Sequence, residues 1–310
     1  MLLEEKKIII ENIGDILEEN VKGQSHVIPK VSKVLQRGEW KLTPDGRPKG
    51  NLLFLGPTGT GKTEITKGFT KALLGDEGKM IRFDMSEYQN KSDLPSLIGD
   101  SSGWNGRLGE ALLENPTKEG VILFDEMEKA HKDILDIFLQ IMDDARITTG
   151  NGVLHDLSEY YIVLTSNIGS SKIMHAKKLK WAAIERSVRL SLTQEGFRPE
   201  FIGRFNEVVI FNKLSYDTLR EIAILNINKE IKRLNEHFVK KGYDINLEAT
   251  SDLVENAVMY GSNQKLGARP MRNYVEKAVQ EAVVRLLLQN EVPTGKVTVK
   301  DSAFHIEDSI

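Results

Sequence analysis

Short apolar runs that alternate with helical stretches dominate the middle of the chain. Each run has four or five residues and is bounded by glycine, aspartate or other polar residues. They cover residues 51–55, 80–83, 121–124, 160–164 and 208–211. Runs of this length between helices are typical of parallel strands that are covered on both faces. The pattern therefore predicts an α/β fold with a five-stranded parallel sheet.

Helical periodicity marks both ends of the chain. Apolar residues at spacings of three and four predict one amphipathic helix within residues 1–20. A second helical stretch follows over about 26–40, and residues 43–48 predict a loop. After residue 211 the same periodicity indicates helices, with no strand for about eighty residues. Residues 292–295 then predict a turn into an edge strand over 296–300.

The length of the chain indicates two domains. Its 310 residues are about twice the usual length of one domain. We expect a large α/β domain over residues 21–213 after the N-terminal helix, and a small helical domain over residues 214–310. The boundary falls near residues 212–215, where the strand pattern ends.

Composition excludes several classes of protein. Hydrophobic residues make up 40% and charged residues 28%, as in folded soluble proteins. The net charge of −3 gives no overall attraction to nucleic acid or anionic membranes. No apolar run reaches the roughly 18 residues of a membrane span. The chain has no cysteine, which excludes disulfides and thiol catalysis and fits a cytoplasmic location, and its six histidines are too scattered for a short-spaced zinc pair.

A glycine-rich segment follows the first predicted strand and opens a helix. It consists of Gly56, Pro57, Thr58, Gly59, Thr60, Gly61, Lys62 and Thr63. This pattern in this context is typical of a P-loop, in which glycines let backbone N–H groups surround phosphates. Lys62 reaches the β- and γ-phosphates of a nucleotide, and the hydroxyl of Thr63 holds Mg²⁺. The alternative is a glycine turn without a ligand.

Polar residues end two further predicted strands. Asp125 and Glu126 follow one apolar run, and Asn167 follows another. Ligands of open α/β sheets bind at the carboxyl ends of strands. There Asp125 suits Mg²⁺ coordination, Glu126 suits activation of a water, and Asn167 suits a hydrogen bond to that water or to the γ-phosphate. The alternatives are an acidic helix start for the carboxylates and a turn or helix cap for the asparagine.

The motifs together resemble the Clp family of AAA+ ATPases, and among them the second ATPase ring of ClpB-type disaggregases. The resemblance runs from about residue 21 to the C-terminus. It rests on the P-loop and on residues 21–24, 83–88, 124–131, 165–169, 197–201 and 267–270. It implies an AAA+ P-loop NTPase fold followed by a helical lid that ends in a strand. It also implies ATP as substrate and Mg²⁺ as cofactor.

The resemblance assigns roles to individual residues. Lys62 and Thr63 fall on the Walker A positions, Asp125 and Glu126 on Walker B, and Asn167 on sensor 1. Mg²⁺ is then held by Thr63 and Asp125.

The same resemblance extends to positions outside these motifs. Val21 and Lys22 fall on the adenine-binding segment, although the family has an apolar residue in place of Lys22. Arg204 falls on the arginine finger, which reaches the nucleotide of a neighbouring subunit, and Arg269 falls on sensor 2 of the lid. An arginine that acts in trans implies a ring, which in this family is a hexamer.

The predicted substrate loop departs from the family pattern. Family members grip polypeptide with a Gly-Tyr-Val-Gly loop, and the corresponding residues here are Gly103, Trp104, Asn105 and Gly106. The aromatic residue is tryptophan, the apolar residue is asparagine, and about five following residues are absent. An exposed tryptophan between glycines favours a binding role. The alternative is that Trp104 packs into the core.

Two features bear on partners. Residues 168–196 contain no extra loop of the kind that docks a protease ring, so such a partner is disfavoured. Lys177, Lys178 and Lys180 form a basic stretch that we interpret as a solvated helix face rather than a nucleic-acid site.

We therefore predict an ATP-hydrolysing remodelling chaperone that acts on a polypeptide in a homo-oligomeric ring. The alternative is an assembly factor that switches one dedicated protein partner without threading it. A nucleic-acid motor is a third reading, which the net charge disfavours.

Overall fold

The fold is described by a computed structural model. It describes residues 3–176, 180–242, 245–263, 266–288, 295–300 and 303–306. The chain divides into two compact units: residues 1–57 with 61–212, and residues 58–60 with 213–310. We call these the first and the second unit. The basic residues Lys177 and Lys178 lie outside the described residues.

The first unit contains helices on both sides of a sheet. Its helices are α1 (Leu3–Glu11), α2 (Ile13–Asn20), α3 (Ile28–Glu39), α4 (Lys62–Leu74), α5 (Leu94–Ile98), α6 (Gly106–Glu114), α7 (Lys132–Asp144), α8 (Ser170–Met174), α9 (Trp181–Gln194) and α10 (Pro199–Ile202). Its strands are β1 (Gly50–Leu55), β2 (Met80–Asp84), β3 (Gly120–Asp125), β4 (Arg146–Thr148), β5 (Leu154–Asp156), β6 (Tyr160–Ser166) and β7 (Glu207–Ile210).

Five of these strands form the predicted parallel sheet, which is confirmed. Their order is β2-β3-β6-β1-β7, and every neighbouring pair is parallel. Alternate residues along β1 enter two separate hydrophobic clusters: Leu53 and Leu55 join one, and Leu52 and Phe54 join the other. Both faces of β1 are therefore buried, which explains the apolar run from Leu52 to Leu55. The remaining strands, β4 and β5, pair as a separate antiparallel hairpin.

The N-terminal segment differs from the single helix expected within residues 1–20. It forms two helices that are separated at Asn12, whose amide nitrogen donates to the carbonyl oxygen of Ile8 at 2.9 Å. Ile13 and Leu17 are fully buried on α2. The break gives α2 its own orientation, and Leu17 packs close to Gly68 of α4.

The described residues of the second unit form three helices and three strands. They are α11 (Tyr216–Lys240), β8 (Ile245–Ala249), α12 (Ser251–Gly261), α13 (Arg269–Leu288), β9 (Gly295–Lys300) and β10 (Ala303–Ile306). The strands form a sheet in the order β10-β9-β8, with β8 and β9 parallel and β9 and β10 antiparallel.

This arrangement corrects two predictions. A strand interrupts the region that was predicted to be helical throughout, and the predicted edge strand over residues 296–300 is central in its sheet. The turn predicted over 292–295 lies largely outside the described residues. No helix among the described residues is long and apolar enough to cross a membrane.

Candidate nucleotide site

The turn between β1 and α4 requires glycine at both ends. Gly56 has φ +142°, and a Cβ atom there would lie 2.7 Å from the carbonyl oxygen of Phe211. Gly61 has φ +106° and caps α4, which begins at Lys62. L-residues with side chains rarely adopt such backbone angles. The free N–H groups at the start of α4 give this turn an affinity for anions such as phosphate.

The other residues of the loop are placed as follows. Pro57 is buried directly after Gly56, and Thr63 is the half-buried second residue of α4. Thr58, Gly59 and Thr60 group with the second unit. Gly59 also has a positive φ, of +72°.

Lys62 is the buried cation of the first unit's site. Its ammonium group donates to the carbonyl oxygens of Gly56 and Pro57, the latter at 3.0 Å, and to Oδ1 of Asn167 at 3.0 Å. These acceptors match the three N–H groups of an ammonium ion. Burial lowers the pKa of Lys62 to about 8, against the opposing effect of Asp125, Glu128 and Glu126.

Asp125 ends β3 and is held on both sides. Its Oδ1 accepts a hydrogen bond from the hydroxyl of Thr165 on β6, and its Oδ2 accepts from Nη2 of Arg82 at 2.6 Å. Arg82 lies on β2, whose register places Asp84 opposite Asp125. Sequence reasoning missed Arg82 and Thr165, because their proximity to Asp125 comes from strand pairing.

The backbone leaves the extended conformation of β3 at Glu126. Its φ of +59° is in the left-handed region, and its N–H donates to the hydroxyl oxygen of Thr165 at 3.2 Å. Burial raises the pKa of Glu126, and the carboxylates of Glu128, Asp84 and Asp125 raise it further. A backbone angle that costs energy in a site of convergent polar groups is typical of a functional turn.

Asn167 follows β6 and is oriented by Glu128. Oε1 of Glu128 accepts the backbone N–H of Asn167 at 3.3 Å and its side-chain amide at 3.1 Å. The opposite side of the same amide, Oδ1, faces Lys62. Sequence reasoning missed Glu128, although its position two residues after Glu126 was a usable signal.

These groups suit a magnesium nucleotide. Mg²⁺ prefers oxygen ligands and is commonly held by one or two carboxylates together with substrate phosphates. The hydroxyl of Thr63 and the carboxylate of Asp125 are ligands of that kind. Among the described residues, no group of three or more His, Asp or Glu side chains could hold a metal ion by itself. This donor set fits a cation that arrives with phosphates better than a resident metal.

The predicted adenine segment packs on the start of α4. Val21 is buried, and its Cγ1 lies 3.2 Å from where a Cβ of Gly61 would be. Lys22 turns back and donates from Nζ to the carbonyl oxygen of Glu18 at 2.9 Å. The buried Gln24 pairs with both backbone groups of Asn212, at 2.9 and 3.0 Å, and so ties this segment to the end of the sheet. Gln24 was quoted in the motif, but its structural role was not predicted.

The two predicted arginines lie on other elements of the chain. Arg204 follows α10 and donates from Nε to Oδ1 of Asp143 at 3.0 Å, with 40% of its side chain exposed. Arg269 is the first residue of α13 in the second unit. The role of each toward a nucleotide stays a prediction.

The predicted substrate loop joins α5 and α6. Trp104 is 39% exposed rather than packed in the core, and its indole N–H donates to Oε1 of Glu110 at 2.6 Å. Gly103 has φ +101° with open space around it. Asn105 is half-buried, and Gly106 is buried with φ +70°.

Two family models match the chain. One is described as the AAA domain (Cdc48 subfamily) and matches residues 47–208. The other is described as the C-terminal, D2-small domain of ClpB protein and matches residues 214–300.

Curated relatives agree with these matches. The ATP-binding subunit ClpC of the Clp protease from Staphylococcus saprophyticus is 34% identical over 298 residues, which are 92% of this chain and 35% of ClpC. The chaperone ClpB from Prochlorococcus marinus is 38% identical over 287 residues, which are 90% of this chain and 32% of ClpB. The chain therefore spans about a third of the length of these relatives.

Solved structures show the same fold. The Hsp104–ADP complex of Saccharomyces cerevisiae superposes with a TM-score of 0.82 at 32% identity, over 94% of this chain and 51% of that one. A closed state of Hsp104 with ATPγS and FITC casein gives a TM-score of 0.81 at 31% identity, over 98% and 53%. With the parallel sheet, the glycine turn and the residues at the strand ends, these matches show that the chain belongs to the Clp family of AAA+ ATPases and resembles the second ATPase module of ClpB-type proteins.

Proposed function

We propose that the chain binds ATP at the carboxyl edge of its parallel sheet and hydrolyses it to ADP and phosphate. The main support is the convergence of polar groups at the ends of three neighbouring strands. Nζ of Lys62, which follows β1, lies 3.0 Å from Oδ1 of Asn167, which follows β6. Asp125, at the end of β3, shares the hydroxyl of Thr165 with the N–H of Glu126.

Each of these groups has a task in phosphoryl transfer to water. Lys62 and the N–H groups at the start of α4 hold the phosphates, and Asn167 orients the attacking water or the γ-phosphate. Glu126 accepts the proton of that water, and its raised pKa makes it a stronger base. Thr63 and Asp125 would hold Mg²⁺, which would neutralise part of the charge that develops on the phosphates.

Substitution Glu126→Gln tests this assignment. The variant retains the shape of the side chain and the phosphate-binding loop, so we expect nucleotide affinity to remain within about threefold. Turnover should fall by at least about a hundredfold, because a positioned general base contributes that much. Measured steady-state ATPase rates and nucleotide dissociation constants check both parts. Glu195→Gln, at an exposed carboxylate, is the matched control, and an unchanged rate in Glu126→Gln would contradict the proposed base.

We further propose that the protein works as a homo-oligomeric ring, a hexamer as in the family. In such a ring Arg204 completes the nucleotide site of the neighbouring subunit, and Arg269 senses the γ-phosphate from its own lid. Arg204 supports this because its side chain is 40% exposed and its partner, Asp143, is only half-buried. Solvent weakens an ion pair that it can reach, so the arginine can exchange Asp143 for a phosphate.

The substrate that we propose is a polypeptide, pulled by the loop that carries Trp104. Its exposed indole supports this role, since a large apolar side chain on a glycine-rich loop costs solubility unless it binds something. The matched Hsp104 structure was obtained with FITC casein, which is a polypeptide. Threading would couple each ATP turnover to a movement of this loop.

The second candidate is an assembly factor that switches one protein partner without threading it. The short loop favours it, as does the bond from the indole of Trp104 to Glu110, which holds the ring against its own helix. A fluorescent folded protein with an unstructured tail separates the two candidates. A threading machine destroys its fluorescence in ATP, whereas an assembly factor leaves it intact while still hydrolysing ATP.

A further inference from the structure

The loop that carries Trp104 is closed at its own base. The N–H of Asp100 donates to the carbonyl oxygen of Trp104 at 3.3 Å. Gly99 and Gly106 approach each other so closely that a Cβ on Gly106 would lie 2.2 Å from the nitrogen of Gly99. Both glycines have positive φ, of +83° and +70°. The two ends of the loop are therefore in direct backbone contact.

A second loop, the turn between β4 and β5, presses on this base. The N–H of Gly150 donates to the carbonyl oxygen of Ile98 at 2.7 Å. A Cβ on Gly150 would lie 2.3 Å from the nitrogen of Asp100, so glycine is needed for this approach. The two loops are distant in sequence, yet their backbones are in direct contact.

Asn151 is fixed within its own turn. Its Oδ1 accepts the hydroxyl of Thr149 at 2.7 Å and the N–H of Val153 at 3.2 Å. Because the oxygen side of the amide is used there, the nitrogen side points out of the turn. That nitrogen donates to Oδ1 of Asn105, the residue after Trp104.

We propose that Asn151 is a positioning residue that clamps the Trp104 loop to the β4–β5 turn, so that the two loops act on a polypeptide as one unit. The proposal rests on the function proposed above. It explains why the sequence has an asparagine at position 105, where the family has an apolar residue. The side chain of Asn105 is used to join the two loops instead of contacting substrate.

The clamp also accounts for the shortened loop. A loop held at its base, at Asn105 and through the indole of Trp104 on Glu110 loses little freedom when a ligand binds. Binding groups that are already ordered gain affinity because the entropy cost of ordering them is smaller. The short loop thus gains affinity from being ordered, although it has fewer residues to contact a ligand.

Tryptophan fluorescence tests the clamp without any substrate. Trp40→Phe with Trp181→Phe leaves Trp104 as the only tryptophan of the 310-residue sequence, and acrylamide quenching then reports its exposure. Asn151→Ala removes the donor, and Asn105→Ala removes the acceptor. We expect each to raise the quenching constant of Trp104, and the double variant to add nothing to either single one. Asn105→Asp keeps an acceptor oxygen and should retain the parent value, whereas Asn12→Ala, at an exposed asparagine on another segment, is the control.

A second readout concerns the polypeptide. In Asn151→Ala, unfolded casein should half-saturate the stimulated ATPase at a concentration about three- to tenfold higher, which corresponds to one lost hydrogen bond. Unchanged quenching in both alanine variants would overturn the clamp. If quenching changes as expected but casein never stimulates the parent protein, the clamp stands and the proposed polypeptide substrate fails. If Asn151→Ala does not fold, the comparison of Asn105→Ala with Asn105→Asp decides the same point.

Discussion

At the scale of single residues, the site depends on how amide and carboxylate groups orient one another. Asn167 has two chemically different faces, and only one of them can meet Lys62. Glu128 accepts both the backbone and the side-chain N–H of Asn167, which fixes the carbonyl face toward the lysine. The other carboxylate oxygen, Oε2, is buried without a hydrogen-bond partner among the described residues. A buried, partly satisfied carboxylate costs stability, so its presence is typical of a site under functional constraint.

Glu128 should therefore affect catalysis through Asn167. We expect Glu128→Ala to slow ATP turnover by about tenfold, because hydrogen bonds to a charged group are lost and Asn167 can rotate. Glu128→Gln keeps an acceptor oxygen and should retain most of the activity. Steady-state ATPase rates of the two variants measure the difference. Equal rates in Glu128→Ala, Glu128→Gln and the parent protein would refute the positioning role.

Arg82 and Thr165 were missed from sequence because strand pairing brings them to Asp125. Asp125 and Asn167 could be predicted because each follows an apolar run, and the ends of parallel strands meet at one edge. Lys62 could be predicted because it belongs to the glycine-rich motif that follows the first run. Arg82 reaches Asp125 only through the register of β2 on β3. An arginine inside an apolar run gives no signal of its partner, since the distance along the chain is large.

At the scale of elements, the glycine turn after β1 is the most demanding local structure. Gly56 combines a positive φ with close approach to the backbone of Phe211, so a side chain there meets both strain and a clash. Gly46 offers a matched comparison. It also has a positive φ, of +76°, but nothing lies within 4 Å of where its Cβ would be.

Gly46→Ala and Gly56→Ala should distinguish the cost of a positive φ from the added cost of a clash with Phe211. We expect Gly46→Ala to lower the free energy of unfolding by about 1 kcal/mol, the cost of a left-handed backbone for a residue with Cβ. Gly56→Ala should lower it by about 2 kcal/mol or more and also weaken nucleotide binding, because the turn must shift. Urea unfolding and nucleotide titrations check both effects. Equal losses in the two variants would mean that the approach to Phe211 is unimportant.

The β4–β5 hairpin should give the protein a pH-dependent stability. His155 on β5 is 8% exposed, its Nε2 has no hydrogen-bond partner among the described residues, and burial lowers its pKa below the ordinary 6.5. The unfolded chain therefore takes up this proton first as the pH falls, so stability is full above about 6.5 and decreases below it.

Replacement of His155 should weaken that dependence. In His155→Phe the loss of stability between about pH 7.5 and pH 5.5 should be smaller than in the parent, by the contribution of this one group. His175→Gln, at an exposed histidine, is the control. Urea midpoints at the two pH values measure the change. A parent-like pH dependence in His155→Phe would contradict the burial argument.

The strands could be predicted where they are buried on both faces, and less well elsewhere. The central strands β1, β3 and β6 are buried and mostly apolar, which distinguishes them from the helices around them. β8 was missed because Ile245, Leu247 and Ala249 alternate with polar residues over only five positions, directly after a long helix. A short alternating segment forms a strand only when it pairs with another strand. The partner of β8 is β9, which lies about fifty residues further along the chain.

At the scale of the whole molecule, the chain contains one ATPase module of the Clp type and spans about a third of its curated relatives. In the function proposed above, the cluster around Lys62, Asp125 and Glu126 supplies the phosphate-binding turn, the cation ligand and the base from one subunit. In the described residues Arg204 belongs to none of these contacts and pairs with Asp143 instead. We therefore propose that Arg204 acts at the nucleotide site of a neighbouring subunit, so that hydrolysis depends on the ring.

Mixing two inactive variants tests whether Arg204 acts on the nucleotide of a neighbouring subunit. Glu126→Gln lacks the base but keeps Arg204, and Arg204→Ala lacks the finger but keeps Glu126, so each alone should hydrolyse ATP slowly. In an equal mixture, roughly a quarter of the interfaces in random rings join an intact Arg204 to an intact Glu126. We predict that the ATPase rate of the mixture exceeds the sum of the separate rates and approaches a quarter of the parent rate. A mixture that is no faster than its components, although native mass measurement shows mixed rings, would contradict a site shared between subunits.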